Sequence, residues 1–193
     1  METQTVGEID NRPQFENVIF KDEVLDEMTT YMRSTNIESG GILVGQFCED
    51  DKKQKFTQVV GFIPNKEGAS SWGSIKFTDE AWADMLRALD QTNAGKSDQL
   101  SVVGWVHSHP SGSAVAPQSQ GDEGYGDRFI IKNYFPKTKF ITMIYGNGGV
   151  YDNQYAIWRS TENKTIRQKG FEIETKDQTT KVQYYDKISE IDL

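Results

Sequence analysis

Two histidines, His107 and His109, stand two residues apart, and they are the only two in a chain of 193 residues. On a β-strand, residues i and i+2 point to the same side, so both imidazoles can converge on one point. Two neutral imidazole nitrogens suit a zinc ion, and in catalytic sites a carboxylate and a water complete the set. An isolated H-x-H pair is a weak signal, because histidines near a strand end are more often hydrogen-bonded surface residues. Here Pro110 stops the strand and Ser111-Gly112 turns the chain away. Ligands at such a strand end leave a metal accessible to substrate.

Three further features strengthen the metal reading. Ser119-Gln120-Gly121-Asp122 lies just downstream in a Gly-, Ser- and Pro-rich loop. Asp122 can supply the third ligand of one zinc per chain, and the Ser119 hydroxyl can donate to a developing oxyanion. Glu38 immediately precedes the apolar run Gly40-Gly41-Ile42-Leu43-Val44-Gly45. A glutamate in that place is usually just solvated. Beside a metal it becomes a general base, taking a proton from metal-activated water and passing it to a leaving amine. Trp105, two residues before His107, offers an apolar wall that limits water near the metal.

These residues need elements to hold them. Residues 18–20 form a brief strand, and residues 21–33 place Val24, Leu25, Met28, Tyr31 and Met32 on one helical face. The glycine-bounded run 40–45 reads as a buried strand. A charged hairpin turn at 49–55 leads into a strand at 56–63, which Pro64-Asn65 ends. Residues 66–73 form a loop. Thr78 is placed to cap a second helix, with Asp79 and Glu80 in its first turn and Trp82, Met85, Leu86 and Leu89 on one face. After a polar connector at 92–99, residues 100–106 make a strand that runs directly into the histidines. A short helix is expected at about 127–134. Strands at 140–145 and 150–158 pair through Asn147-Gly148-Gly149. Beyond Arg159 an edge strand at 171–174 and a tail are expected. The fold class is α/β, a single domain with helices on a mixed sheet. It divides into a lead-in at 1–13, the domain at 14–160 and a C-terminal extension at 161–193.

Composition narrows the partners. The net charge of −8, with scattered basic residues, argues against nucleic acid, whose phosphates need clustered Lys and Arg. No run approaches the ~20 apolar residues of a membrane span, and the polar N-terminus lacks a secretory pattern. A cytoplasmic location is therefore expected. The single cysteine, Cys48, excludes an internal disulfide and a cysteine zinc finger, and its place after an apolar run reads as a buried small hydrophobe. No glycine loop of nucleotide-binding type is present.

Taken together, Glu38-Ser39-Gly40-Gly41-Ile42-Leu43-Val44-Gly45, then Val103-Gly104-Trp105-Val106-His107-Ser108-His109-Pro110, then Ser119-Gln120-Gly121-Asp122, resembles the signature of the JAMM (JAB/MPN) zinc metalloproteases. The resemblance spans about residues 16–158. It implies a JAB/MPN-like fold and hydrolysis of the bond after the C-terminal glycine of a ubiquitin-like protein or its conjugate. By position it makes Glu38 the acid/base, His107, His109 and Asp122 the zinc ligands, and Ser119 the oxyanion stabiliser. A chain this short resembles the prokaryotic, deubiquitinase-like branch, which trims bacterial ubiquitin-like proteins, some within antiphage conjugation pathways. Conjugation-pathway enzymes are then implied as partners. The loop after Pro110 departs from the pattern by about two extra residues, which makes Asp127 a second candidate for the third ligand. The Ser-to-Asp spacing favours Asp122. Two other readings stay open: a catalytically silent scaffold or binding module of the same fold, and a zinc peptidase acting on small peptides or sulfur-carrier proteins.

Overall fold

A computed structural model of the chain describes residues 15–66, 70–71, 74–75, 77–110, 130, 133–134, 139–146, 154–160, 164–168, 170–183 and 190–192. The lead-in at 1–13, the turn at 147–149, Ser119, Asp122 and Asp127 lie outside the described residues. So does part of the 66–73 loop.

The elements run β1 (Asn17–Lys21), α1 (Asp22–Arg33), β2 (Gly40–Glu49), β3 (Lys55–Pro64), β4 (Ser70–Ser71), β5 (Ser74–Ile75), α2 (Asp79–Asn93), β6 (Ser101–His109), β7 (Ile141–Gly146), β8 (Gln154–Ser160), β9 (Lys164–Gln168), β10 (Gly170–Glu174), β11 (Thr179–Gln183) and β12 (Glu190–Asp192). One mixed sheet takes the order β11-β10-β1-β3-β2-β6-β7-β8-β9-β12, and β4 pairs with β5 apart from it. β1 runs parallel to β3 and β10, and β6 runs parallel to β7. This is the expected mixed α/β architecture. No helix among the described residues is long and apolar enough to cross a membrane.

The helices cover opposite faces. Val24, Leu25, Met28 and Met32 of α1 join Leu43, Val59, Val103, Val106 and Met143 in the larger core cluster. Met85 and Leu89 of α2 pack on Ile42 and Val44 instead. Leu43 thus faces α1 while its neighbours in β2 face α2, as strand alternation requires. Thr78 caps α2 as anticipated: its Oγ1 accepts from the Ala81 N–H at 3.2 Å. The helix runs on to Asn93, overlapping the first residues of the expected connector.

One irregularity sets the orientation of β6. In its pairing with β2, Leu43 opposes Gly104 and Val44 opposes Val102, leaving Val103 unmatched in a β-bulge. Val102 packs on the α2 side and Val103 on the α1 side. Past the bulge Trp105 returns to the α2 side, and Val106 lies on the α1 side. Continued alternation puts His107 and His109 on the α2 side with Trp105. Gly104 is needed there, since a Cβ on it would lie 2.2 Å from the Ile141 carbonyl oxygen.

Two expectations are corrected. The strand at 171–174 forms, but as β10 it lies between β1 and β11 and is not an edge. The reason is that residues 179–183 fold back as β11 along its outer side, while on its inner side Phe171, fully buried, meets Phe20 of β1 edge-on at 5.1 Å. Cys48 is only partly buried, because the last residues of β2 run beyond the core and alternate between partly buried and exposed positions. The C-terminal strands are also tied in by Arg159, a fully buried cation. Its guanidinium donates to Gln168 Oε1 at 2.7 Å and to the carbonyls of Lys139 and Glu16 at 2.9 and 3.0 Å. Burial pulls its pKa down to about 10, with Glu16 acting in the opposite sense.

Gly104→Ala should destabilise the protein by about 3 kcal/mol or more, because the new methyl group meets backbone that cannot rotate away. Urea unfolding checks this; a loss below ~1 kcal/mol would mean that the bulge tolerates a side chain.

Candidate metal centre

The last residues of β6 bring the two histidines together as the spacing anticipates. Their Nε2 atoms lie 3.1 Å apart, and the rings meet edge to face at 4.9 Å. His107 is 1% exposed and His109 7%. Trp105 does more than wall the site. Its indole stacks on the His107 ring at 4.7 Å and 12°, and its Nε1–H donates to Thr142 Oγ1 at 2.9 Å. That bond fixes the plate on which His107 rests. Behind it Phe77 meets Trp105 edge-on at 5.2 Å, and with Trp82, Ile130 and Tyr134 it lines a small apolar pocket. Ile130, Asn133 and Tyr134 are helical, within the span expected for the short helix.

The donor chemistry fits zinc. Two ligands of a tetrahedral ion at about 2.0–2.1 Å stand ~3.3 Å apart, close to the separation seen. A ligating imidazole must be neutral, and burial holds His107 so by pushing its pKa down to about 3 from an ordinary 6.5. Among the described residues no group of three or more His, Cys, Asp or Glu side chains gathers to hold a metal. The aspartates 122 and 127 are not among them.

Glu38 reaches this end of the sheet through β2. Gly40 opposes His107, so the register carried on sets Ser39 opposite Ser108 and Glu38 opposite His109. Opposed residues share a face in an antiparallel pair, which brings Glu38 to the histidines' side. Glu38 itself is half-buried. Gly40 permits the close approach: a Cβ there would lie 2.1 Å from the Val106 carbonyl oxygen and 3.0 Å from His107 Cβ.

Some supports were not legible in the sequence. By sequence, Asn65 reads only as the end of a strand and Tyr31 only as part of a helix's apolar face. In the fold the Asn65 N–H donates to the Gly40 carbonyl at 2.8 Å, and the Tyr31 hydroxyl donates to the Asn65 carbonyl at 3.1 Å. Thr142, the acceptor for Trp105, carries no local signal at all.

Comparison with known proteins bears on the same region. The family model described as JAB1/Mov34/MPN/PAD-1 ubiquitin protease matches residues 13–121, a span that holds Glu38, His107, His109 and Ser119. A comparison with curated proteins gave no match. Among solved structures, the chain is similar to the solution structure of protein DSY2949 from Desulfitobacterium hafniense, with a TM-score of 0.55 and 14% identity over 83% of this chain and 94% of that one. Identity that low carries the fold alone.

The depressed His107 pKa gives the metal-free protein one acid-sensitive contribution to its stability. The unfolded chain takes up a proton near pH 6.5 that the folded one refuses until about pH 3. This contribution is therefore complete above about pH 6.5 and is lost as the pH falls towards 3, by up to about 1.4 kcal/mol per pH unit. Thermal melts of chelator-treated protein from pH 7 to 4 should show the loss, and His107→Gln should flatten it. An identical profile in the two proteins would contradict the assignment.

Proposed function

Because this chain belongs to the JAB1/Mov34/MPN/PAD-1 family, which includes metal-dependent isopeptidases as well as inactive scaffolds, we propose that it is a zinc-dependent isopeptidase or peptidase. Its substrate is a ubiquitin-like protein or conjugate, cut after the C-terminal glycine. The observation that carries this reading is the buried histidine pair, with Nε2 atoms 3.1 Å apart, at the strand end where the register sets Glu38 opposite His109.

His107 and His109 would hold the zinc, with Asp122 as third ligand. When bound, the ion supplies Lewis acidity and brings the pKa of water towards ~7. Glu38 accepts the proton of the attacking water as its oxygen bonds to the scissile carbonyl carbon. The same carboxyl then returns that proton to the amine as the carbon–nitrogen bond breaks. The Ser119 hydroxyl donates to the carbonyl oxygen while it carries negative charge. Trp105 keeps the His107 ring in one orientation and dries the wall beside it, which strengthens each of these electrostatic contacts.

Turnover of a fusion ending in Gly-Gly, measured with bound zinc, separates this reading from its rivals. Zinc with cleavage of the fusion supports it. Cleavage of short peptides alone points to a small-peptide enzyme, and neither zinc nor cleavage points to a scaffold.

Glu38→Gln should lower kcat by roughly 10³-fold, within the range of general acid–base catalysis, and keep one zinc per chain. Loss of the zinc in that variant would make Glu38 a ligand and not a base. For the third ligand, Asp122→Ala should strip or loosen the metal, read by elemental analysis after dialysis. If Asp127→Ala does so instead, the ligand is Asp127.

A further inference from the structure

The contact between β2 and β6 does not stop at Gly40 and His107. The Ser108 N–H donates to the Ser39 carbonyl at 2.8 Å, which is half of the next antiparallel rung. A regular rung would return the bond from the Ser39 N–H to the Ser108 carbonyl. Here the Ser39 N–H donates to Ser108 Oγ, at 3.2 Å. The two hydroxyls lie 3.4 Å apart, on the face opposite the histidines. Ser108 is fully buried and Ser39 is 6% exposed. A side-chain hydroxyl thus stands in for a backbone carbonyl at the last rung before Glu38.

The position matters because of its neighbours. Ser108 lies between the two imidazoles in sequence, and Ser39 is bonded directly to Glu38. One hydroxyl therefore couples the backbone that carries the histidines to the backbone that carries the glutamate. From the other side Gly40 is braced by the Asn65 N–H, and Asn65 by Tyr31. The segment entering β2 is held at two successive residues. A misplacement of about 1 Å at a reacting group can cost ~10²-fold in rate, so such a rung has leverage on turnover.

We propose that Ser108 is the positioning residue for Glu38: its Oγ, by accepting from the Ser39 N–H, sets the distance between the glutamate and the histidine pair. The role rests on the hydrolase reading above. Ser108 touches neither substrate nor metal; it acts through Ser39.

The test compares Ser108→Thr with Ser108→Val, side chains of nearly one shape that differ in the hydroxyl. In zinc-loaded protein acting on the Gly-Gly fusion, Thr should stay within about threefold of the native kcat. Val should lose roughly 10- to 100-fold in kcat, with KM unchanged within about twofold and zinc content equal. Amide exchange at Ser39 should be slow in the native and Thr proteins and roughly 100-fold faster in Val. Equal kcat for Thr and Val overturns the proposal, and so does loss of zinc from the Val protein, which would place the effect on the ligands. If neither β-branched side chain permits folding, Ser108→Ala must show the same kcat loss at constant KM, or the proposal fails. A native protein that binds zinc but cleaves nothing refutes the hydrolase reading and the positioning role with it. The Ser39 exchange rate would still report separately whether the hydroxyl rung exists.

Discussion

The pairing of β2 with β6 skips one residue, Val103, and the rest of the site depends on that offset. A regular strand continuing the alternation from Val102 would turn Val106 and Ser108 towards α2, and Trp105, His107 and His109 into the packed core against α1. The bulge reverses the phase. The apolar Val103 and Val106 fill the α1-side core, while the aromatic and imidazole side chains emerge on the other face. Gly104 makes the offset possible, because β7 passes too close for any side chain. One extra residue in β6 thus decides whether the chain has a buried polar defect or a site.

Once the phase is set, burial does the electrostatic work. His107 has almost no exposed surface, and Trp105 stacks on its ring and helps to keep water from it. The protonated imidazole is disfavoured there, so the ring is kept as a neutral donor of a lone pair. The same environment would be unfavourable for an isolated charge, and a divalent ion needs the compensating carboxylate that a third ligand supplies.

The strands beyond Arg159 extend the same sheet. β9 and β12 lengthen one side, and β10 and β11 the other, with Arg159 bonding to the segments that lead into β1 and β7 as well as to β9. A buried guanidinium is tolerable because it finds three acceptors, and its fixed fork holds together segments far apart in sequence. Local sequence could not announce this. Arg159 ends an apolar run and reads there as the first surface residue after a strand.

How much was legible depended on the range of the interaction. The histidine spacing, the Thr78 cap, the amphipathic faces of both helices and the glycine-bounded β2 are local patterns, governed by strand and helix periodicity. The sequence by itself therefore determined that the two histidines share one strand end, which helix faces are apolar and where most of the described elements lie. Facing and coupling needed the tertiary structure. The bulge in β6, the parallel seat of β10 beside β1, the Trp105–Thr142 bond and the Ser39–Ser108 rung all join residues distant in the chain. Their geometry follows from how neighbouring strands pack, and no short stretch of sequence encodes that.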